Sequence, residues 1–356
     1  MKKLIFLFMF FWTTTIFAEP FNRIIFFGDS LTDNGNLYKK FLKIIPKSPP
    51  YYKGRFSNGM TWAEGLGDRY YKKYYSSYKV YAVGGATAIY HHPNGKFIAP
   101  STLTAQVNDY LLDSNFQDKS KVLFAVWIGA NDYMFDEKAD GEVVSTKVTE
   151  QIATSIKTLI SKGGKSFVVL NLPDLAKSPF AQNNNKSSER LSELSQLHNK
   201  KLLKVMEELK NANPQIKIIY INLFDMLNDV IANPAKYNKK YNGNITDTTT
   251  ACWKGGYFFQ DQNQKDELKQ ALRQGWIAEY HSAPSEQEID QLVEQARQTP
   301  EVMHAYHLGK SYQLGLAIPC AKPNEHIFWD QLHPTEIVHR VLGEIIEEII
   351  DFAMPA

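Results

Sequence analysis

Ile24-Ile25-Phe26-Phe27-Gly28-Asp29-Ser30-Leu31-Thr32-Asp33 is the stretch on which the reading of this chain turns. Four consecutive β-branched or aromatic residues, stopped by a glycine, are too short for a helix and read as a buried strand running into a loop. A strand that is apolar on both faces is covered on both faces, as in a parallel sheet. Working outward, the same pattern returns at residues 79–83 before Gly84-Gly85, at 122–128 before Gly129, at 167–170 before Pro173, and at 216–221. Between these runs, residues 61–70, 103–112, 144–160, 191–209 and 336–352 carry apolar side chains at three- and four-residue spacing, the helical period. Strand-helix alternation predicts an α/β fold, a three-layer α/β/α sandwich around a central parallel sheet. Ligands of open α/β sheets bind at the carboxyl ends of the strands. The loops after the first three runs are therefore where chemistry is expected.

Composition narrows the classes further. The chain has 356 residues, 44% hydrophobic and 22% charged, with 40 basic against 38 acidic residues. That balance argues against nucleic-acid binding, which favours a basic face, and against disorder. Two cysteines exclude a disulfide-dense mini-domain and a four-cysteine zinc site. Residues 1–18 read as a secretory signal: Lys2 and Lys3, an apolar run from Leu4 to Trp12, then Ala18 before Glu19-Pro20. The run is too short to cross roughly 30 Å of hydrocarbon. The expectation is an exported protein, secreted or alternatively periplasmic, with residues 19–356 as a single domain. Removing Lys2 and Lys3 leaves that domain formally neutral. Peripheral membrane contact would then rest on apolar and aromatic surface, such as the Tyr-rich residues 69–81, whose plainer reading is a solvated helix end and strand edge.

Several common signatures are absent: G-x-S-x-G, G-x-G-x-x-G, a P-loop and His-Glu-x-x-His. His304 and His307 lack an evident acidic or Cys partner and read as packing or surface residues, so neither a metal nor a cofactor is expected. Four segments do form a constellation: Phe27-Gly28-Asp29-Ser30-Leu31-Thr32-Asp33, Ala82-Val83-Gly84-Gly85-Ala86-Thr87, Gly129-Ala130-Asn131-Asp132 and Trp329-Asp330-Gln331-Leu332-His333-Pro334. In this order, three at strand ends and one before the last helix, the set resembles the GDSL, or SGNH, hydrolase family. The resemblance implies a flavodoxin-like sheet and a serine hydrolase. It assigns Ser30, Asp330 and His333 as the catalytic set. It assigns the backbone N–H of Ser30, the backbone N–H of Gly85 and the side-chain amide of Asn131 to the oxyanion.

The residue types suit that chemistry. A serine hydroxyl needs a base, here His333, and the imidazole needs an orienting carboxylate, here Asp330 three residues earlier. Glycine at 85 lets a substrate approach the backbone. Each residue also has a plainer reading: Ser30 as a helix cap, Gly84-Gly85 as a turn, Asn131-Asp132 as a helix start, Asp330 and His333 as caps of the last helix. Asp29, Asp33 and Asp132 read as supporting loop residues, and His326 and His339 as structural. The joint pattern favours catalysis.

The block 28–36, with Gly54-Arg55-Phe56-Ser57-Asn58-Gly59 and Trp62, resembles the secreted bacterial branch that includes phospholipase A, lysophospholipase A and glycerophospholipid:cholesterol acyltransferase enzymes. This implies hydrolysis of phospholipid or lysophospholipid acyl esters through an acyl-serine, with water or a sterol hydroxyl as acceptor. Carbohydrate or aryl esters are the competing substrates, and a secreted binding protein on an inactive hydrolase scaffold is the competing class.

Cys252 and Cys320, in an exported chain, are expected to form a disulfide, with two buried free thiols as the alternative. The segment they bound, 252–320, is longer than in similar family members, with roughly residues 260–312 extra. It reads as helical: Ser285-Glu286-Gln287-Glu288 is a capping box followed by Ile289, Leu292, Val293 and Ala296, and residues 266–276 suggest a second helix. Two readings stand: a decoration, or a lid over Ser30 that moves, meets membrane or is cut by an activating protease.

Overall fold

The computed structural model describes residues 21–90, 101–134, 140–183, 185–255 and 262–355. The export signal read at residues 1–18 lies outside them. Strands β1 (Arg23–Gly28), β2 (Ser77–Val80), β3 (Val122–Trp127), β4 (Ser166–Leu170) and β5 (Lys217–Ile221) form one parallel sheet in the order β2-β1-β3-β4-β5. β1, β3, β4 and β5 lie on the apolar runs, whereas β2 is Ser77-Tyr78-Lys79-Val80 and meets its expected run, 79–83, only at Lys79 and Val80. Regular pairing of β2 stops at Val80, although the N–H groups of Tyr81 and Val83 still donate to the carbonyls of Phe26 and Gly28.

The helices are α1 (Asn36–Lys40), α2 (Trp62–Tyr74), α3 (Leu103–Asp113), α4 (Asn131–Met134), α5 (Gly141–Ser161), α6 (Pro179–Gln182), α7 (Asn185–Ala212), α8 (Leu223–Ala232), α9 (Pro234–Tyr241), α10 (Gln262–Tyr280), α11 (Glu286–Arg297), α12 (Pro300–Gln313) and α13 (Glu336–Ala353). Alternation along the strands sorts them into layers. Ile25, Phe27, Phe124, Val126, Phe167 and Val169 bury against α3, α5 and α7. Their neighbours Ile24, Phe26, Leu123, Ala125, Val168 and Leu170 bury against α2 and α13. Successive side chains of a strand point to opposite faces, so one apolar run supplies both cores. The architecture is a three-layer α/β/α sandwich. The order 2-1-3-4-5 places a topological switch between β1 and β3, and the crevice there is where such sheets bind ligands.

A second parallel sheet of β6 (Asp247–Ala251) and β7 (His326–Phe328) holds the chain on either side of the long segment. Cys252 and Cys320 are joined in a disulfide at its base. Within it the two helices read from sequence appear as α10 and α11, α11 with its capping box at Ser285 and Glu288. Helix α12 carries no clear amphipathic signal in the sequence, because His304 and His307 interrupt its apolar stripe. Both are nonetheless buried, as are Val302, Ala305 and Leu308. The segment docks on the body of the molecule. Leu268, Leu272, Ile289, Val293, Val302 and Leu308 share one apolar core with Leu37, Phe41, Ile45, Tyr51 and Phe56. Replacing both cysteines with Ser is expected to cost up to about 4 kcal/mol of unfolding free energy through the lost cross-link. A chemical-denaturation midpoint equal to wild type would show that the segment is held by packing alone. Among the described residues, no helix is long and apolar enough to cross a membrane.

Candidate active site

Gly28 ends β1 so close to β3 that a Cβ there would collide with the Trp127 carbonyl oxygen. The Gln106 side chain on α3 accepts from the Gly28 N–H and donates to its carbonyl, fixing the strand end. The chain then turns: the Asp29 carbonyl accepts from the N–H groups of Thr32 and Asp33. Ser30 stands on this turn at the β1/β3 switch, 5% exposed.

The supporting carboxylates tie the loops together. Asp33 accepts from the N–H groups of Gly35, Asn36 and Leu37, and from that of Gly84 in the second block. Its burial pushes it up to about 6 against the pull of those four donors. Asp132 accepts from the N–H groups of Ala88 and Ile89, joining the third block to the second. The Asn131 side-chain amide donates to the Ala86 carbonyl. Gly85 has φ of 72°, a left-handed conformation that suits glycine. The sequence-selected residues Ser30, Gly85, Asn131, Asp330 and His333 are thus brought to one crevice from three strand ends and the loop before α13.

Ser30 Oγ lies 2.9 Å from His333 Nε2, and His333 Nδ1 lies 2.9 and 2.8 Å from the two carboxylate oxygens of Asp330. Asp330 accepts further from the N–H groups of Leu332 and His333 and from the Tyr51 hydroxyl at 2.5 Å. Burial alone would raise Asp330, but the His333 charge and hydrogen bond outweigh it and hold the carboxyl below its usual range. Burial alone would lower His333, but Asp330 and then Glu301 outweigh it and hold the imidazolium well above the usual His range. Asp29, fully buried beside this group, is pushed up to about 8 by desolvation and by the Glu301 charge.

The block 54–59 has a clear task. The Ser57 hydroxyl donates to the Pro334 carbonyl, and Asn58 Oδ1 accepts from the Glu336 N–H, capping α13 from outside. Arg55 and Glu64 pair beside it. His339 is buried and pulled down to about 3, so it stays neutral and accepts from the Trp62 N–H. His304 and His307 are buried packing residues. Acidic groups that the sequence did not bring near His304 do reach it, since Asp330 and Glu301 act on it electrostatically. Among the described residues, no group of three His, Cys, Asp or Glu side chains could hold a metal ion.

Two residues at the site were not foreseen. Tyr51 orients Asp330, and nothing in its neighbourhood of prolines marks it. Glu301, in the first turn of α12, is 2% exposed, 3.1 Å from His333 Nε2 and 3.1 Å from the Gly85 nitrogen. An acidic residue in a first turn is ordinary, so its position in the sequence carried no signal.

A cavity lies beside Ser30 and His333. It is walled mainly by apolar side chains of α8 and α13, among them Leu223, Met226, Val230, Val338, Val341 and Ile345, with Ile245 and Phe328.

A family model described as GDSL-like Lipase/Acylhydrolase matches residues 24–346. The chain is 29% identical over 334 residues to a phosphatidylcholine-sterol acyltransferase of Aeromonas hydrophila, covering 91% of this chain and 88% of that one. It is 35% identical over 207 residues to a secreted effector protein, SseJ, of Salmonella typhimurium, covering 57% of this chain and 47% of that one. It is 25% identical over 341 residues to a thermolabile hemolysin of Vibrio parahaemolyticus, covering 94% and 65% of the two chains. With the matched span running from β1 into α13, the chain belongs to the GDSL lipase/acylhydrolase family and is a carboxylic ester hydrolase.

Proposed function

We propose that this protein is an exported serine esterase that hydrolyses long-chain acyl esters of phospholipids or lysophospholipids through an acyl-serine on Ser30. The observation that supports the substrate class is the cavity beside Ser30, whose walls on α8 and α13 are apolar. Burying a methylene contributes about 0.8 kcal/mol, so a long acyl chain gains affinity there that an acetyl group cannot.

In this reading Ser30 Oγ attacks the ester carbonyl while its proton passes to His333 Nε2, and Asp330 stabilises the imidazolium. The tetrahedral oxyanion takes hydrogen bonds from the N–H groups of Ser30 and Gly85 and from the Asn131 amide. Losing one such donor costs about 2.7–4 kcal/mol of barrier. The intermediate collapses as the proton moves from His333 to the leaving alcohol. Water, activated by the same imidazole, then releases the fatty acid. A sterol hydroxyl in place of water gives acyl transfer, a second reading favoured by the similarity to the Aeromonas acyltransferase. Peripheral contact with the lipid surface, and cutting of residues 260–312 by an activating protease, belong to the same reading.

The test is incubation of the mature protein with lysophosphatidylcholine, phosphatidylcholine and a short-chain aryl ester, with and without cholesterol, followed by product identification. Fatty acid release supports the reading. Turnover of the aryl ester alone would move the protein to the carbohydrate or aryl esterases, and no turnover of any ester would fit an inactive scaffold. Val338→Phe, placed on the α13 wall of the cavity, adds a sharper check. It is expected to slow a sixteen-carbon lysophospholipid by about tenfold or more while leaving an acetyl ester within about twofold. Equal losses on both esters would show that the cavity does not hold the acyl chain.

A further inference from the structure

Glu301 touches the two groups that the reaction needs free. One carboxylate oxygen is 3.1 Å from His333 Nε2, on the side of the ring that faces Ser30 Oγ, and the other accepts from the Gly85 N–H. A bound carboxylate there offers negative oxygen to an oxyanion donor and to the imidazole together, as a tetrahedral intermediate or a fatty acid product would. Its ion pair among the described residues is with His333. Burying a carboxylate costs several kcal/mol unless it is paired, so the contact with His333 and Gly85 is what keeps Glu301 in place.

We propose that Glu301 is an intrachain carboxylate plug, delivered by the disulfide-bounded helices, and that the described structure is the latent state of the enzyme. This rests on the catalytic assignment of Ser30, His333 and Gly85 given above. The plug acts twice. It fills the space the ester carbonyl must enter, and it gives the imidazole a second anion that favours the protonated ring, which cannot accept the Ser30 proton. Its delivery is built into the fold. Pro300 at the first position of α12 and the positive helix end favour an acid at the next position. Val302, Ala305 and Leu308 then anchor the helix in the core shared with α1, α10 and α11. Opening the site means lifting this end of α12 away from His333 while the disulfide keeps the segment attached.

The experiment compares wild type with Glu301→Ala and Glu301→Gln, each checked for a native thermal melt. The readouts are the rate of Ser30 labelling by a fluorophosphonate and kcat/KM on a soluble aryl butyrate, neither of which requires a lipid substrate. Both variants are expected to gain about tenfold or more, the response to removing a closed state that dominates the population. Folded variants with unchanged or slower labelling would overturn the plug and make Glu301 a supporting residue of the open site. Proteolytic nicking within residues 265–297 gives a second arm in which residue 301 is intact: nicked wild type should gain labelling rate, whereas nicked Glu301→Ala should gain little. Equal gains on nicking would assign the latency to the segment as a whole and overturn the specific role of Glu301. The lipid reading fails separately: faster aryl ester turnover without any fatty acid release from phospholipids leaves the plug standing, and phospholipid turnover at equal rates in wild type and Glu301→Ala leaves the lipid reading standing.

Discussion

Ser30→Ala is expected to lower ester turnover by about 10⁴-fold or more, on aryl and lipid esters alike. The change removes one oxygen, the atom 2.9 Å from His333 Nε2. It leaves the turn intact, because that turn is held by the Asp29 carbonyl and by Asp33 rather than by the Ser30 hydroxyl. Stability should therefore stay within about 0.5 kcal/mol of wild type. The small residual rate would come from the oxyanion donors and substrate binding. Steady-state kinetics with matched thermal melts check this. More than about a hundredth of the wild-type rate in a folded Ser30→Ala protein would remove Ser30 as nucleophile.

Asp330→Asn is expected to lower kcat by about 10⁴-fold, a loss comparable to that of the nucleophile although Asp330 touches no substrate atom. Every contact recorded for this carboxylate is donated to it: Leu332 and His333 N–H, Tyr51 O–H and His333 Nδ1. An amide has one accepting oxygen and a donating nitrogen. If the nitrogen faces Nδ1, the ring must carry its proton on Nε2, where it can no longer take the proton of Ser30. At the Oδ2 position the nitrogen also meets the Tyr51 hydroxyl, and at the Oδ1 position it meets the N–H groups of Leu332 and His333, so a donor is set against a donor either way. Stability should fall as well, by about 1–3 kcal/mol for the donors left unsatisfied. The check is kcat against pH together with a urea midpoint. Raising the pH should not restore the rate, because the defect is in the tautomer. Near-wild-type kcat would mean that Asp330 only shapes the loop.

The fold was legible because a strand buried on both faces needs a continuous apolar run, and β1, β3, β4 and β5 each have one; β2, at the sheet edge with only Val80 buried, has none, and its bounds were displaced from the run at 79–83. The candidate site was legible because four short segments in order resemble the GDSL pattern, so Ser30, Gly85, Asn131, Asp330 and His333 could be named before their proximity was known. What was not legible depends on distance in the fold. Strand β6 is mostly Thr and Asp, Asp247-Thr-Thr-Thr-Ala251, with no apolar run to mark it. Helix α12 is covered on so many sides that its two histidines are buried, which erases the amphipathic stripe. Glu301 and Tyr51 reach the site only because the segment between the cysteines and the loop before Phe56 fold onto the same core. Local spacing around neither residue reports that meeting.

The most direct test of the central claim is to mix the enzyme, wild type and Glu301→Ala in parallel, with palmitoyl lysophospholipid, quench during turnover and map the peptides by mass. The account requires one palmitoyl group on the peptide carrying Ser30, removed by hydroxylamine and absent from Ser30→Ala. Fatty acid release with no acyl group on Ser30 in either protein, or with the acyl group on another residue, would contradict it.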